Sequence, residues 1–134
     1  MNTFRTAAAA LAAATGAPTY GFGPHPAGAD DHTEEHGDVD FVPDVAVRDG
    51  DVIAGEDFEV ECLHTPGHIS NHVCFADRTR RCLFSGDHVM GWSTSVISPP
   101  AGSITDYLAN LRRLVGRDDE VYYPTHGPPI PDPQ

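Results

Sequence analysis

The chain has 134 residues, a net charge of −12 and 8 basic residues, all arginine. That length allows one domain with a modest core. The acidic balance repels polyphosphate and argues against broad electrostatic binding of nucleic acid, although a short RNA at a local metal site stays compatible with it. No segment is long and apolar enough to span a membrane.

At the amino terminus, Met1–Pro18 has one early cation, Arg5, and an alanine-rich run that loosely imitates a secretory signal. The same run is a good helix former. Phe4, Ala7, Ala8, Leu11 and Ala14 share a helical face, Gly16 is placed to end it and Pro18 follows, so an interior helix is the preferred reading. Pro18–Phe22 reads as a short strand before the Gly23-Pro24-His25-Pro26 turn. Residues 27–40 are acidic, histidine-bearing and aperiodic, as in a surface loop. A hairpin is expected next, with Val45-Ala46-Val47 and Val52-Ile53 joined at Asp49-Gly50-Asp51.

Phe58, Val60 and Cys62 alternate with Glu59 and Glu61, the pattern of a strand with one buried face. Further strands are expected at His72–Ala76 and Arg81–Ser85, joined by a turn at Asp77–Arg80. A loop over 91–102 holds Trp92 and Pro99-Pro100. Ile104, Tyr107, Leu108, Leu111, Leu114 and Val115 mark an amphipathic helix, capped by Ser103 with Asp106 three residues on, and ended by Gly116. Its Tyr107-Leu108-Leu111-Leu114 face is expected to pack on the sheet, with Leu111→Ala costing about 2–5 kcal/mol if that face is buried. Val121-Tyr122-Tyr123 is the last expected strand, and the proline-rich stretch from Pro128 is expected to add no closing element. Cys62, Cys74 and Cys82 lie in apolar stretches without C-x-x-C spacing, as buried free thiols of a reducing, cytoplasmic compartment do.

Three phrases carry the chemistry: Thr65-Pro66-Gly67-His68, Ser85-Gly86-Asp87-His88 and Thr125-His126-Gly127. Each puts a metal-capable side chain just after a strand. Taken singly, His68 and His126 are unremarkable histidines, and an aspartate after glycine often caps backbone amides. Together, at successive strand ends, His68, Asp87 and His126 are expected to surround a common point, with the carboxylate bridging a pair of divalent ions. His64 is read as partly exposed and His72 as packed beneath the loop, neither a ligand. His88 is expected to support the site from behind by hydrogen bonding. His32-Thr33-Glu34-Glu35-His36 matches the H-x-x-E-H pattern, but Gly28 and Gly37 flank it and no apolar residue between Ala29 and Val39 anchors a helix, so a solvated loop is the better reading.

Leu63-His64-Thr65-Pro66-Gly67-His68, Leu83-Phe84-Ser85-Gly86-Asp87-His88 and Pro124-Thr125-His126-Gly127-Pro128-Pro129 resemble, in order and spacing, the metallo-β-lactamase superfamily. Gly91-Trp92-Ser93-Thr94 and the Pro-Pro loop most resemble its β-lactamase-like branch, related to glyoxalase II-type hydrolases and including members that act on RNA. The resemblance implies an α+β fold, a four-layer αβ/βα sandwich with the site at one edge. It also implies metal-activated hydroxide attacking an ester, thioester or phosphodiester bond of a small molecule or short RNA. By motif, His68 would hold the first metal, Asp87 bridge both and His126 hold the second. Zinc suits these donors, as do iron and manganese.

The family's H-x-H-x-D-H motif is expected just before the helix near Thr3, where this chain has Met1-Asn2-Thr3-Phe4-Arg5-Thr6. The expectation is therefore a single partial domain over 1–134, lacking N-terminal strands, holding zinc weakly and inactive by itself. An exposed sheet edge would then favour self-association. Two other readings stay open: a non-catalytic remnant serving as a binding or oligomerising module, and a small secreted metal-binding protein.

Overall fold

The computed structural model describes residues 3–24 and 41–133; His25, the acidic loop and the His32–His36 stretch lie outside the described residues. The described chain is mixed α+β. In chain order it forms α1 (Thr3–Thr15), β1 (Tyr20–Gly21), β2 (Val45–Ala46), β3 (Val52–Ala54), β4 (Glu59–His64), β5 (Val73–Asp77), β6 (Cys82–Gly86), α2 (Ile104–Val115), β7 (Val121–Pro124) and β8 (Ile130–Pro131). Strands β3 to β8 make one six-stranded sheet in sequence order, and β1 and β2 form a separate parallel pair.

Every neighbouring pair in the large sheet is antiparallel except β6 and β7, which are parallel and joined by the α2 crossover. Strands β4, β6 and β7 therefore run the same way, and the loops that follow them leave one rim. This topology decides where the histidines and the aspartate can meet.

The core lies between the sheet and α2, where Leu63, Cys74, Ala76, Leu83, Leu114 and Tyr122 pack together. Burying a leucine such as Leu114, 1% exposed, is worth about 1.5–3 kcal/mol. Ser103 caps α2 by accepting the Asp106 N–H at 3.3 Å. Behind the helix, Arg117 pairs with the buried Asp119 carboxylate at 2.6 Å and fixes the turn into β7.

The structure differs from the sequence expectations at several places. Val45–Ala46 pairs with Tyr20–Gly21 rather than with Val52–Ile53, because the Asp49–Asp51 turn is already bonded to β4: Gly50 N–H donates to Cys62 O and Cys62 N–H to Asp51 O. The hairpin that forms is β3–β4. Ile130–Pro131 does close the sheet, as a short edge strand on β7, a place where proline is tolerated. The amino-terminal segment is helical, and among its described side chains it is not interior, since Leu11 is 65% exposed; alanine supplies too little apolar surface to hold that part of the helix on a core. On α2, Leu108 and Ile104 are exposed, and the face that packs is Tyr107, Leu111 and Leu114, with Leu111 only half-buried. The three cysteines are free and buried.

On the sheet face opposite α2, Cys62 and Cys82 are buried, while the part of that face over β6 and β7 near the rim is exposed. Phe75, Phe84 and Tyr123 line up across β5, β6 and β7, and the Phe84 and Tyr123 rings stack at 5.5 Å while remaining exposed. The apolar exposure thus falls on a face, and the edge strands β3 and β8 are only three and two residues long.

Candidate metal centre

His68, Asp87 and His126 meet at the rim where β4, β6 and β7 end. The Pro66–His68 loop is seated on the start of α2: Ser103 N–H donates to Gly67 O at 2.8 Å and Asn110 donates to Pro66 O at 2.9 Å. Position 67 accepts only glycine, since a Cβ there would lie 2.6 Å from Tyr107 Cα. Thr125 N–H donates to Gly86 O at 3.0 Å, which extends the β6–β7 ladder past the strands and brings His126 to Asp87.

The His68 Nδ1–H donates to the Val96 carbonyl at 2.5 Å. A carbonyl only accepts, so Nδ1 carries a proton, and Nε2 is the ring atom turned toward the carboxylate. Asp87 Oδ2 lies 3.9 Å from His68 Nε2, and Oδ1 lies 3.6 Å from His126 Nε2. Asp87 Oδ1 is buried without a hydrogen-bond partner among the described residues.

The two histidines stand on either side of the Asp87 carboxylate, the arrangement a carboxylate bridging two ions would have. Among the described residues no three histidine, cysteine, aspartate or glutamate side chains form a single metal cluster. His68, Asp87 and His126 form two half-sites, one imidazole to each oxygen of the carboxylate. The physical reason is the topology: β6 lies beside β7 and two strands from β4, so Asp87 stands between the two histidines.

The sequence model of the metallo-β-lactamase superfamily matches residues 6–126. The chain belongs to that superfamily. Among its relatives, the atrochrysone carboxyl ACP thioesterase AgnL7 of Paecilomyces divaricatus is 35% identical over 86 residues, 64% of this chain and 26% of that protein. The chain thus spans about a quarter of the length of the curated relatives it matches. Among solved structures, TTHA1623 in a di-iron-bound form superposes with a TM-score of 0.67 at 26% identity, over 93% of this chain and 65% of that one. The BLEG-1 B3 metallo-β-lactamase has the same fold, with a TM-score of 0.74 at 22% identity and the same two coverages, 93% and 65%.

In this metallo-β-lactamase-fold chain the donor set fits divalent ions in one respect and falls short in another. Two ligands of one tetrahedral ion at about 2.1 Å each stand roughly 3.4 Å apart. The 3.6 and 3.9 Å gaps suit an ion placed in each better than they suit direct hydrogen bonds. The shortfall is number: among the described residues each half-site has one imidazole and one carboxylate oxygen, whereas a catalytic zinc keeps about three protein ligands.

The remaining histidines divide by what they touch. His64 is half-buried, stacks on Phe22 at 3.9 Å and bonds Ser70 O through Nε2 at 2.9 Å, so it is occupied in structure. His88 is fully buried against Tyr107, with ring centroids 4.7 Å apart. Neither of its ring nitrogens has a partner among the described residues, so the hydrogen-bonding support expected of it is not found there. Burial lowers its pKa to about 4. His72 makes the contact instead: its Nε2 accepts the Asp87 backbone N–H at 3.1 Å. Burial, with nearby histidines adding to it, lowers the His72 pKa to about 3. The sequence held a signal for this. With His64 paired to Val73, one further step of the same ladder sets Thr65 opposite His72.

Proposed function

We propose that the chain carries part of a two-metal hydrolase centre acting on thioesters, with His68 and His126 as terminal ligands and Asp87 as the shared one. The observation that carries this reading is the Asp87 carboxylate standing between two imidazoles, Oδ2 toward His68 and Oδ1 toward His126, with Oδ1 buried and without a hydrogen-bond partner among the described residues. Five of the similar curated proteins are named as ACP thioesterases, which favours a thioester over an ordinary ester or phosphodiester.

A divalent pair, when bound here, supplies Lewis-acid activation of water and of the scissile carbonyl. The chain's own residues prepare the place. Val96 O holds His68 with Nε2 turned toward Asp87, and Ser95 Oγ donates to Asp87 O at 2.6 Å and steadies the backbone beneath the carboxylate. Trp92 donates through Nε1 to His126 O at 3.2 Å. Its ring is 66% exposed and offers an apolar surface beside the site for an acyl group. Zinc or iron would suit the donors.

With one imidazole and one carboxylate oxygen for each ion among the described residues, weak metal binding and little turnover are the expected behaviour of the chain. Metal content by mass spectrometry and hydrolysis of a generic acyl thioester test this. Sub-stoichiometric metal with turnover near background is the expected result; tight stoichiometric metal with fast turnover would overturn it. A second reading, a binding or self-associating module, is favoured by the exposed Phe84–Tyr123 stack. Sedimentation that gives a concentration-independent monomer would remove it.

A further inference from the structure

We propose that His72 is a positioning residue for the metal centre, holding the Asp87 backbone so that its carboxylate stands between His68 and His126. The proposal rests on the reading of Asp87 as a ligand and goes beyond it by naming what aims that ligand.

Four bonds form one closed thread through the core. Asp87 N–H donates to His72 Nε2 at 3.1 Å, so Nε2 is unprotonated and the ring proton is on Nδ1. That Nδ1–H donates to Thr65 Oγ1 at 2.8 Å. The Thr65 hydroxyl, having accepted there, donates its proton to Cys74 Sγ at 3.3 Å. The Cys74 S–H then donates to Ser85 O at 3.5 Å, a weak bond. One assignment of protons satisfies every step.

The thread begins at Asp87 and ends at Ser85, two residues earlier, so it grips both ends of the Ser85-Gly86-Asp87 turn from the β4–β5 side. Thr65, Cys74 and Ser85 are wholly buried and His72 is 9% exposed, which leaves the ring little freedom. The fit is close enough to dictate the residue between: a Cβ on Gly86 would lie 2.5 Å from His72 Nε2, and its φ is +57°. A histidine serving the core alone would have no need to spend its acceptor on the amide of the shared ligand. His88, the other buried imidazole, stands 5.8 Å from the His72 ring and takes no part.

Isotope-labelled wild-type protein tests the bond itself without metal. The expected NMR result is a scalar coupling across the N–H···N bond between Asp87 and His72 Nε2, with Nε2 at an unprotonated shift. A protonated Nε2, or no coupling, would overturn the proposal. Cobalt titration followed by visible absorption tests its consequence. His72→Leu, which cannot accept, should weaken Co2+ binding about 10- to 100-fold. His72→Gln places an oxygen near the Nε2 position and should restore most of it. A folded His72→Leu that binds cobalt like wild type would overturn the proposal. If His72→Leu does not fold, Thr65→Val, which removes the ring's anchor at constant shape, takes its place; it should weaken binding severalfold, and unchanged affinity would count against the proposal. Asp87→Ala separates the two readings. If it binds cobalt like wild type, the ligand assignment fails and the positioning role falls with it. If Asp87→Ala loses cobalt but His72→Leu does not, only the positioning role fails.

Discussion

Replacing Gly86 by alanine imposes two separable costs, and Gly50→Ala measures one of them alone. Both glycines have left-handed φ, +57° at Gly86 and +82° at Gly50, a region that costs an alanine about 1–2 kcal/mol. At Gly50 nothing lies within 4 Å of the added Cβ, so the backbone cost is the whole effect. At Gly86 the Cβ meets His72 Nε2 at 2.5 Å, and the buried ring cannot swing aside as a surface side chain would. Forced overpacking adds about 1–3 kcal/mol, for a total of roughly 2–5 kcal/mol at Gly86 against 1–2 kcal/mol at Gly50. Urea unfolding of both variants, compared at a common slope, gives the difference directly. Equal destabilisation would refute the tight His72–Gly86 contact and, with it, the geometry assigned to the Asp87 turn.

The sheet–helix core makes a second contrast. Leu114→Ala should cost about 3–5 kcal/mol, because three carbons leave a fully packed place, while Leu108→Ala on the exposed side should cost less than about 1 kcal/mol by urea unfolding. The pH dependence follows from the buried imidazoles. Both have folded-state pKa values below the unfolded 6.5, His72 at about 3 and His88 at about 4. Their contribution is therefore fully present above pH 6.5 and is lost progressively as pH falls toward those values. At pH 5, His72 alone should have cost the fold about 2 kcal/mol relative to neutral pH. Denaturant midpoints that stay level from pH 7 to pH 5 would contradict this. His126→Ala, which removes the imidazole facing Asp87 Oδ1 at 3.6 Å, should weaken metal binding in the same cobalt titration, and affinity equal to wild type would contradict its place at the site.

Much of the sheet was legible because its signals are local. The alternation at Phe58–Cys62 marks β4, the Asp77–Arg80 turn joins β5 to β6, and Ser103 with Gly116 brackets α2 within a residue. The residues at the rim were legible for the same reason, each being the first metal-capable side chain after a strand. Partnership was not. Val45–Ala46 has equal propensity to pair with either neighbour, and only the Gly50–Cys62 and Asp51–Cys62 bonds decide against the hairpin with Val52. Periodicity put Leu108 on the packed face, but a stripe wider than the contact leaves one flank exposed, and tertiary packing selects which. Between His72 and His88, adjacency in sequence pointed to the wrong imidazole. His88 turns inward against Tyr107, and the residue four after His68 in sequence reaches Asp87 across the hairpin.

The most direct test of the account is electron paramagnetic resonance of the chain loaded with excess Mn2+, compared with Asp87→Ala and His126→Ala. One carboxylate shared by two ions makes them a spin-coupled pair, because a bridging ligand transmits exchange that separate ligands do not. The account predicts a coupled signal in the wild type, loss of coupling in Asp87→Ala, and a single isolated ion in His126→Ala. A wild-type spectrum of isolated ions only, or coupling that survives Asp87→Ala, would contradict the shared-carboxylate centre.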